Sequence, residues 1–303
     1  MTVPSWIGVD WGTSNLRAFA INAFGNLLAE GGSDRGMGTL EPDQFESALI
    51  EVIGPWLTEG KVTPVFACGM VGARQGWVEA LYRSVPCEPV SGSGLTTVAT
   101  NDPRIQVQIL PGLSQAEPDD VMRGEETQIA GLLADQPQFS GAICLPGTHA
   151  KWVRMEAGQV QQFQTFMTGE MYSVLSKHSV LRHSIAANAE LDKEAFLSAA
   201  LEAAAKPEMV ASALFSLRAT SLLHSTSSET NAARLSGLLI GQEIGIARSY
   251  WDGKPVVLIG ATEITQLYAE ALQALNVNPT IINAAKAIIK GLFIAATQHR
   301  ELN

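Results

Sequence analysis

A strand–turn–strand pattern that occurs twice constrains this chain more than anything else in it. Residues 6–17, WIGVDWGTSNLR, have a fainter echo at residues 142–154, AICLPGTHAKWVR. Each copy reads as a short apolar strand, a Gly-Thr turn and a second strand that opens with a basic residue. In the first, Ile7, Val9 and Trp11 alternate with Gly8, Asp10 and Gly12, and the turn Gly12-Thr13-Ser14-Asn15 leads to Arg17. In the second, Ile143 and Leu145 run into Pro146-Gly147-Thr148-His149, followed by Lys151 and Trp152. Glycine lets a backbone approach a ligand closely, and consecutive turn N–H groups with hydroxyl side chains suit phosphate oxygens. One Gly-Thr turn is ordinary hairpin chemistry. Two copies in the two halves of a chain point to a polyphosphate gripped from both sides.

Asp10 closes an apolar strand with no evident counter-charge in the sequence. A buried carboxylate needs a partner, and the expected one is a magnesium ion that accompanies the phosphates. The 303 residues suffice for two domains. With 46% hydrophobic and 17% charged residues and a mean hydropathy of +0.12, the composition is that of a well-buried globular protein, and the strands and helices that follow along the chain read as α/β. The net charge of −10 and the lack of any basic run exclude nucleic acid as a partner. No stretch is long and apolar enough for a membrane span, and the first twelve residues, MTVPSWIGVDWG, lack the basic region of a signal peptide. Three cysteines (Cys68, Cys87 and Cys144) without CxxC spacing fit reduced residues of a cytoplasmic protein.

The order of elements follows from periodicity. Strands are expected at 6–10, 16–22 and 26–30, then a Gly-rich surface loop over 33–40 and a helix carrying Phe45, Leu49, Ile53 and Trp56. A buried strand at 64–68 runs into GMVGARQGW, whose Met70, Gly72, Arg74 and Trp77 have the composition of a ligand loop at a strand's carboxyl end. A strand at 105–110 precedes a polar loop at 114–120 and the helix of VMRGEETQ, where Glu125 and Glu126 stand in the first turn. Acids there pair favourably with the helix dipole, which leaves Arg123-Gly124 just ahead of them unexplained. The second half repeats the opening with strands at 141–146, 151–156 and 159–166, and Glu170 follows where strand passes into helix. Ala-rich helix fills 191–223, a longer helix carries Gly237, Gly241 and Gly245 at every fourth position, and strand 255–260 ends in Gly260-Ala261-Thr262. Helix 263–275, a short strand at 280–283 and helix 284–300 close the chain. His178, His183 and His224 have no metal-site spacing. The domain boundary is expected at Pro137, which gives domains 1–137 and 138–303.

Taken together, these stretches resemble the actin-like sugar-kinase superfamily and, within it, the 2-dehydro-3-deoxygalactonokinase family. The likeness is carried by VDWGTSNLRAF, ACGMVGARQGW, VMRGEETQ, LPGTHAKWV, FMTGEM and SGLLIGQE, of which GEETQ and PGTHAKW are the most specific. It implies two ribonuclease-H-like domains with a cleft between them, closing over ATP and Mg2+, and transfer of phosphate to the 6-hydroxyl of 2-dehydro-3-deoxy-D-galactonate. By position, Asp10 matches the magnesium-organising aspartate, and Gly12, Thr13, Ser14 and Arg17 the first phosphate motif. Gly147, Thr148, His149 and Lys151 match the second, and Gly260, Ala261 and Thr262 the adenosine motif, with Ala261 replacing the usual second glycine. Leu145-Pro146 stand where many relatives carry an acid, so the second half is expected to supply no metal ligand.

Glu125 falls at the place of the general base, with Glu126 one residue away; sequence does not choose between them. Arg123 joins Asp10 and Glu125 as a catalytic candidate, and Met70, Gly72, Arg74, Trp77, Arg123 and Glu170 are the candidate sugar-acid contacts. The substrate's carboxylate calls for Arg74, Arg123 or Lys151, since a cation there pairs with it and Arg can do so with two hydrogen bonds. A kinase of the same fold for another sugar, or a non-catalytic sugar or nucleotide sensor, remains the alternative, and a homodimer is left open. The retained Asp10 and Glu125 and the absence of a basic appendage favour an enzyme.

Overall fold

In the computed structural model, which describes residues 3–186 and 190–302, the opening hairpin forms as the alternation demands. β1 (Trp6–Trp11) pairs antiparallel with β2 (Leu16–Ile21), which continues into β3 (Leu27–Ser33). α1 (Phe45–Ile53) leads to β4 (Thr63–Gly69), parallel to β1, and after the short strands β5 (Tyr82–Ser84) and β6 (Thr96–Val98) comes β7 (Ile105–Ile109), parallel to β4. The polar stretch expected as a loop at 114–120 is instead a hairpin of β8 (Gly112–Ala116) and β9 (Asp119–Met122). Its turn residues concealed it, because hydrogen bonds between the two strands, rather than an apolar stripe, hold a partly exposed hairpin. α2 (Glu125–Leu133) follows.

The second half repeats the plan. β10 (Gly141–Leu145), β11 (Ala150–Glu156) and β12 (Gln159–Phe166) are succeeded by α3 (Thr168–His178), α4 (Lys193–Ala205) and α5 (Val210–His224). The expected single Ala-rich helix is broken at Pro207, whose ring cannot continue the hydrogen-bond ladder. α6 (Ser228–Ile246), capped by Ser227, leads through α7 (Arg248–Trp251) to β13 (Val256–Gly260), α8 (Thr262–Ala274), β14 (Thr280–Asn283) and α9 (Ala284–Leu302). Side chains at Gly237, Gly241 and Gly245 would collide with backbone atoms of Phe196, Ala200 and Ala204, so the stripe of small residues on α6 is where α4 lies.

The chain divides into two units. Unit 1 comprises residues 1–139, 156–162 and 284–303, and unit 2 comprises 140–155 and 163–283. The C-terminal helix, expected in the second domain, belongs to unit 1. Ile288, Leu292, Ala295 and Ala296 of α9 join Trp6, Phe19 and Phe66 in one core, and apolar burial outweighs chain order. In unit 1 the sheet order is β3-β2-β1-β4-β7-β6, with a small sheet β5-β8-β9 beside it in sequence. In unit 2 the order is β12-β11-β10-β13-β14. Both large sheets therefore have an antiparallel three-strand meander whose first strand pairs parallel with the next strand of the chain. The central strands β4, β10 and β13 are buried nearly throughout, as expected for strands covered on both faces.

Candidate active site

In unit 1 the carboxyl ends of β1 and β4 lie side by side, with Asp10 opposite Cys68 and Trp11 opposite Gly69 in the register. Asp10 has the partner that the sequence did not reveal. Arg17, directly across the hairpin, forms an ion pair with it, and Arg17 Nε donates to Asp10 Oδ2 at 3.1 Å. The carboxylate is thus compensated within the protein. Among the described residues no group of three metal-ligating side chains occurs. A magnesium ion would find one protein carboxylate here, a donor set that fits an ion carried in by phosphates and water.

The turn after β1 is held open to solvent. Gly12 N donates to Asn15 O (2.9 Å), while Thr13 and Ser14 are exposed. A strap that was expected as plain surface loop supports it from behind. Met37 N donates to Gly12 O (3.0 Å) and Gly38 N to Thr13 O (2.9 Å), and a side chain at Gly36 would run into Thr13 and Ser14 backbone. The only sequence signal for this was Gly36-Met37-Gly38 itself.

α2 begins at the end of β4. Gly124, at φ +110°, takes a conformation that side chains disfavour, and a Cβ there would stand 3.3 Å from Gly69 Cα. This turn separates the two acids. Glu126 is 1% exposed; its Oε2 accepts from Gly124 N (2.7 Å) and its Oε1 from Thr127 Oγ1 (3.2 Å). Burial first, and the adjacent Glu125 second, push its carboxyl up to about 8. Glu125 is half-buried and accepts from Arg123 N at 3.0 Å. Burial first, and then the charges of Asp10 and Glu126, raise the Cys68 thiol, which lies within the field of both acids. Asp10, Cys68 and the first turn of α2 therefore form one neighbourhood. Of the two acids, Glu125 keeps access to solvent and Glu126 is a structural tie of the Gly124 turn.

The remaining candidates of unit 1 separate. Arg123 turns its guanidinium inward: it is 8% exposed, lies 4.2 Å above the Tyr82 ring and donates from Nη2 to Ala80 O at 2.7 Å. Its Nε and Nη1 have no hydrogen-bond partner among the described residues. Gly72 is buried over Nη1 and Met70 is half-buried. Trp77, half-buried, packs against the core between Phe45, stacked at 6.2 Å, and Trp11 at 6.1 Å. Arg74 is a surface residue, 81% exposed, beside Glu79 at 3.4 Å. Of the four residues expected in one ligand loop, Trp77 thus packs against the core and Arg74 stands on the surface.

Unit 2 carries the second turn. Thr148 and His149 are exposed, Lys151 is buried, and His149 Nε2 lies 2.6 Å from Glu170 Oε2. Glu170 thus faces the turn as well as opening α3: its N–H donates to Thr148 O at 3.0 Å. A Cβ at Gly169 would meet Gly147 O and, at 2.9 Å, Thr148 Cα, so only glycine allows α3 this close. β13 ends beside β10. A Cβ at Gly260 would meet Thr265 Oγ1 and, at 3.6 Å, Pro146 Cδ; Ala261 is exposed and Thr262 opens α8. Next to Gly147 and Gly169 is a cavity of about 360 Å³, walled by Tyr172, Ala233, Leu267 and Tyr268. Its lining is mostly apolar, with Gly147 and Gly169 at the turn and Glu190 and Glu229 also on it, and suits a flat heterocycle.

Duplicated sheets of this order, each with a glycine hairpin after its first strand, define the actin-like fold of sugar kinases and related ATPases. A xylulose kinase from Lactobacillus acidophilus shares it, with a TM-score of 0.51 at 9% identity over 98% of this chain and 89% of that one. The family model of 2-keto-3-deoxy-galactonokinase matches residues 10–295, and the chain belongs to that family of carbohydrate kinases. It is 35% identical to the 2-dehydro-3-deoxygalactonokinase of Escherichia coli (strain K12), over 95% of this chain and 96% of the relative. A Sinorhizobium meliloti crystal structure described as a "putative 2-dehydro-3-deoxygalactonokinase protein" is 37% identical, with a TM-score of 0.89 over 96% of this chain and 98% of that one.

Proposed function

We propose that this protein transfers the γ-phosphoryl group of ATP to the 6-hydroxyl of 2-dehydro-3-deoxy-D-galactonate, giving the 6-phosphate and ADP. One observation carries the division of labour: Glu125 opens α2 half-buried and next to Glu126, while Glu126 and Asp10 both act on Cys68 at the end of β4. Glu125 takes the proton of the substrate hydroxyl as its oxygen bonds to the γ-phosphorus. The bond from that phosphorus to the β,γ-bridging oxygen breaks, and ADP leaves. Asp10, steered by Arg17, would hold Mg2+, whose chemistry is to neutralise the phosphate oxygens. Turn N–H groups of Thr13 and Ser14, on the Gly12 turn, and at Gly147–His149 are assigned to phosphate oxygens, and the cavity beside Gly147 with Gly260–Thr262 to adenosine.

Arg123 is assigned to the substrate carboxylate. A guanidinium this buried, with two nitrogens unpartnered among the described residues, favours an anion. The segment around Gly72 must yield for the contact to form. Three free cysteines fit a cytoplasmic enzyme.

The test is an ADP-release assay with Mg-ATP over a panel of aldonates, 2-keto-3-deoxy acids and neutral sugars. The reading requires fastest turnover with 2-dehydro-3-deoxygalactonate. Faster turnover of glucose or glycerol contradicts it.

A further inference from the structure

Deep in unit 2, Glu243 of α6 is 1% exposed and accepts three hydrogen bonds from three other elements. They come from Trp152 Nε1 of β11 (2.8 Å), Tyr268 Oη of α8 (2.6 Å) and Thr168 Oγ1, the first residue of α3. All three donors are neutral. Burial pushes the carboxyl up to about 7 in spite of them. A carboxylate held this way is costly, and an apolar residue of similar size would pack the same space at less cost. Its connections say what it does instead. Thr168 and Tyr268 are both walls of the cavity beside Gly147. Thr168 is followed by Gly169, which lies against the backbone of Gly147 and Thr148, and by Glu170, which donates to Thr148 O and pairs with His149.

We propose that Glu243 is a nucleotide-positioning residue: through Thr168 and Tyr268 it fixes the spacing between the Gly147–His149 turn and the cavity wall. The inference rests on the assignment of the nucleotide to that cavity and turn. Glu243 touches no ligand. It pre-sets the geometry in which a base and its phosphates are held together, and pre-organisation of this kind is read as affinity.

The test combines ADP titration calorimetry with steady-state kinetics on the full-length protein. Glu243→Gln keeps the shape but presents an amide to at least one donor. It should weaken ADP binding by about tenfold or more and raise KM for ATP equally, with KM for the sugar acid within twofold. Thr168→Val should reproduce the loss, and Thr168→Ser, which restores the hydroxyl, should recover it; these two variants carry the test if Glu243→Gln fails to fold. Unchanged ADP affinity in Glu243→Gln overturns the proposal. So does an equal rise of both KM values, the mark of a general structural defect, or a Thr168→Ser variant as weak as Thr168→Val. Wild-type protein that binds no ADP overturns the cavity assignment and this inference with it. Wild-type binding with unchanged variants overturns this inference only.

Discussion

The two glycine hairpins share a backbone plan and differ in charge. In the first, Asp10 stands opposite Arg17; in the second, Leu145 stands opposite Lys151. Around the first lie Asp10, Glu125 and Glu126 at the carboxyl ends of β1 and β4 and the start of α2. Around the second lie an exposed His149–Glu170 pair and a largely apolar cavity, while the deeply buried Glu243 is turned away into three neutral donors. A duplicated topology can therefore keep its glycine turn and still differ in the side chains around it. In the proposed reaction one copy supplies the carboxylates for acceptor activation, and the other the largely apolar wall for a heterocycle.

The tryptophans give the largest effect by which to break this comparison. Trp11 donates from Nε1 to Arg35 O at 3.0 Å, whereas Trp152 donates to a buried carboxylate. Trp152→Phe should cost about 3 kcal/mol, near the upper end for a hydrogen bond to a charged group, against about 1 kcal/mol for the lost Trp11 bond in Trp11→Phe, beyond the shared loss of volume. Denaturant unfolding at pH 8 compares them, and equal costs would deny Glu243 its special place.

The glycines come next. A methyl group at Gly169 meets Gly147 and Thr148, but one at Gly147 has no atom within 4 Å. Gly169→Ala should lose about 1–3 kcal/mol by overpacking. Gly147→Ala should leave Tm nearly unchanged and raise KM for ATP, because only a ligand can meet that methyl.

Glu126 yields a smaller, pH-dependent effect. Its folded carboxyl, raised to about 8, binds a proton that the unfolded chain has already released above the ordinary carboxylate range. Stability from this group is complete below that range and is lost as pH rises through about 8. Glu126→Gln cannot ionise, so its Tm advantage over wild type should grow between pH 5 and pH 9. A constant difference would contradict the buried, protonated assignment. Smallest of all, Arg74→Ala should alter stability by less than about 0.5 kcal/mol and leave kcat/KM for the sugar acid within twofold, as befits an exposed side chain.

Much of this was legible in the sequence because it is local. Alternation at 6–11, the turn glycines and the helix opening at Glu125 gave the hairpins, their order and the acids at the helix start. What stayed hidden depends on distant segments meeting. Asp10 looked uncompensated because register, and not spacing, brings Arg17 across from it. The Gly36–Gly38 strap looked like surface loop because its partners are turn carbonyls of Gly12 and Thr13. The stretch SGLLIGQE was readable as a motif, yet the role of Glu243 appears only when β11, α3 and α8 converge on it. Likewise, the choice proposed between Glu125 and Glu126 rests on burial at the Gly124 turn, where Glu126 is enclosed and Glu125 only half-buried.

That choice is the core of the account, and a side-by-side measurement of Glu125→Gln and Glu126→Gln tests it directly. Turnover of 2-dehydro-3-deoxygalactonate and ATP affinity would be measured on both. The account predicts that Glu125→Gln lowers kcat by about 10²–10⁴-fold with ATP affinity intact, the usual worth of a general base. Glu126→Gln should retain most of its turnover. Full activity in Glu125→Gln, or inactivity confined to Glu126→Gln, would contradict it.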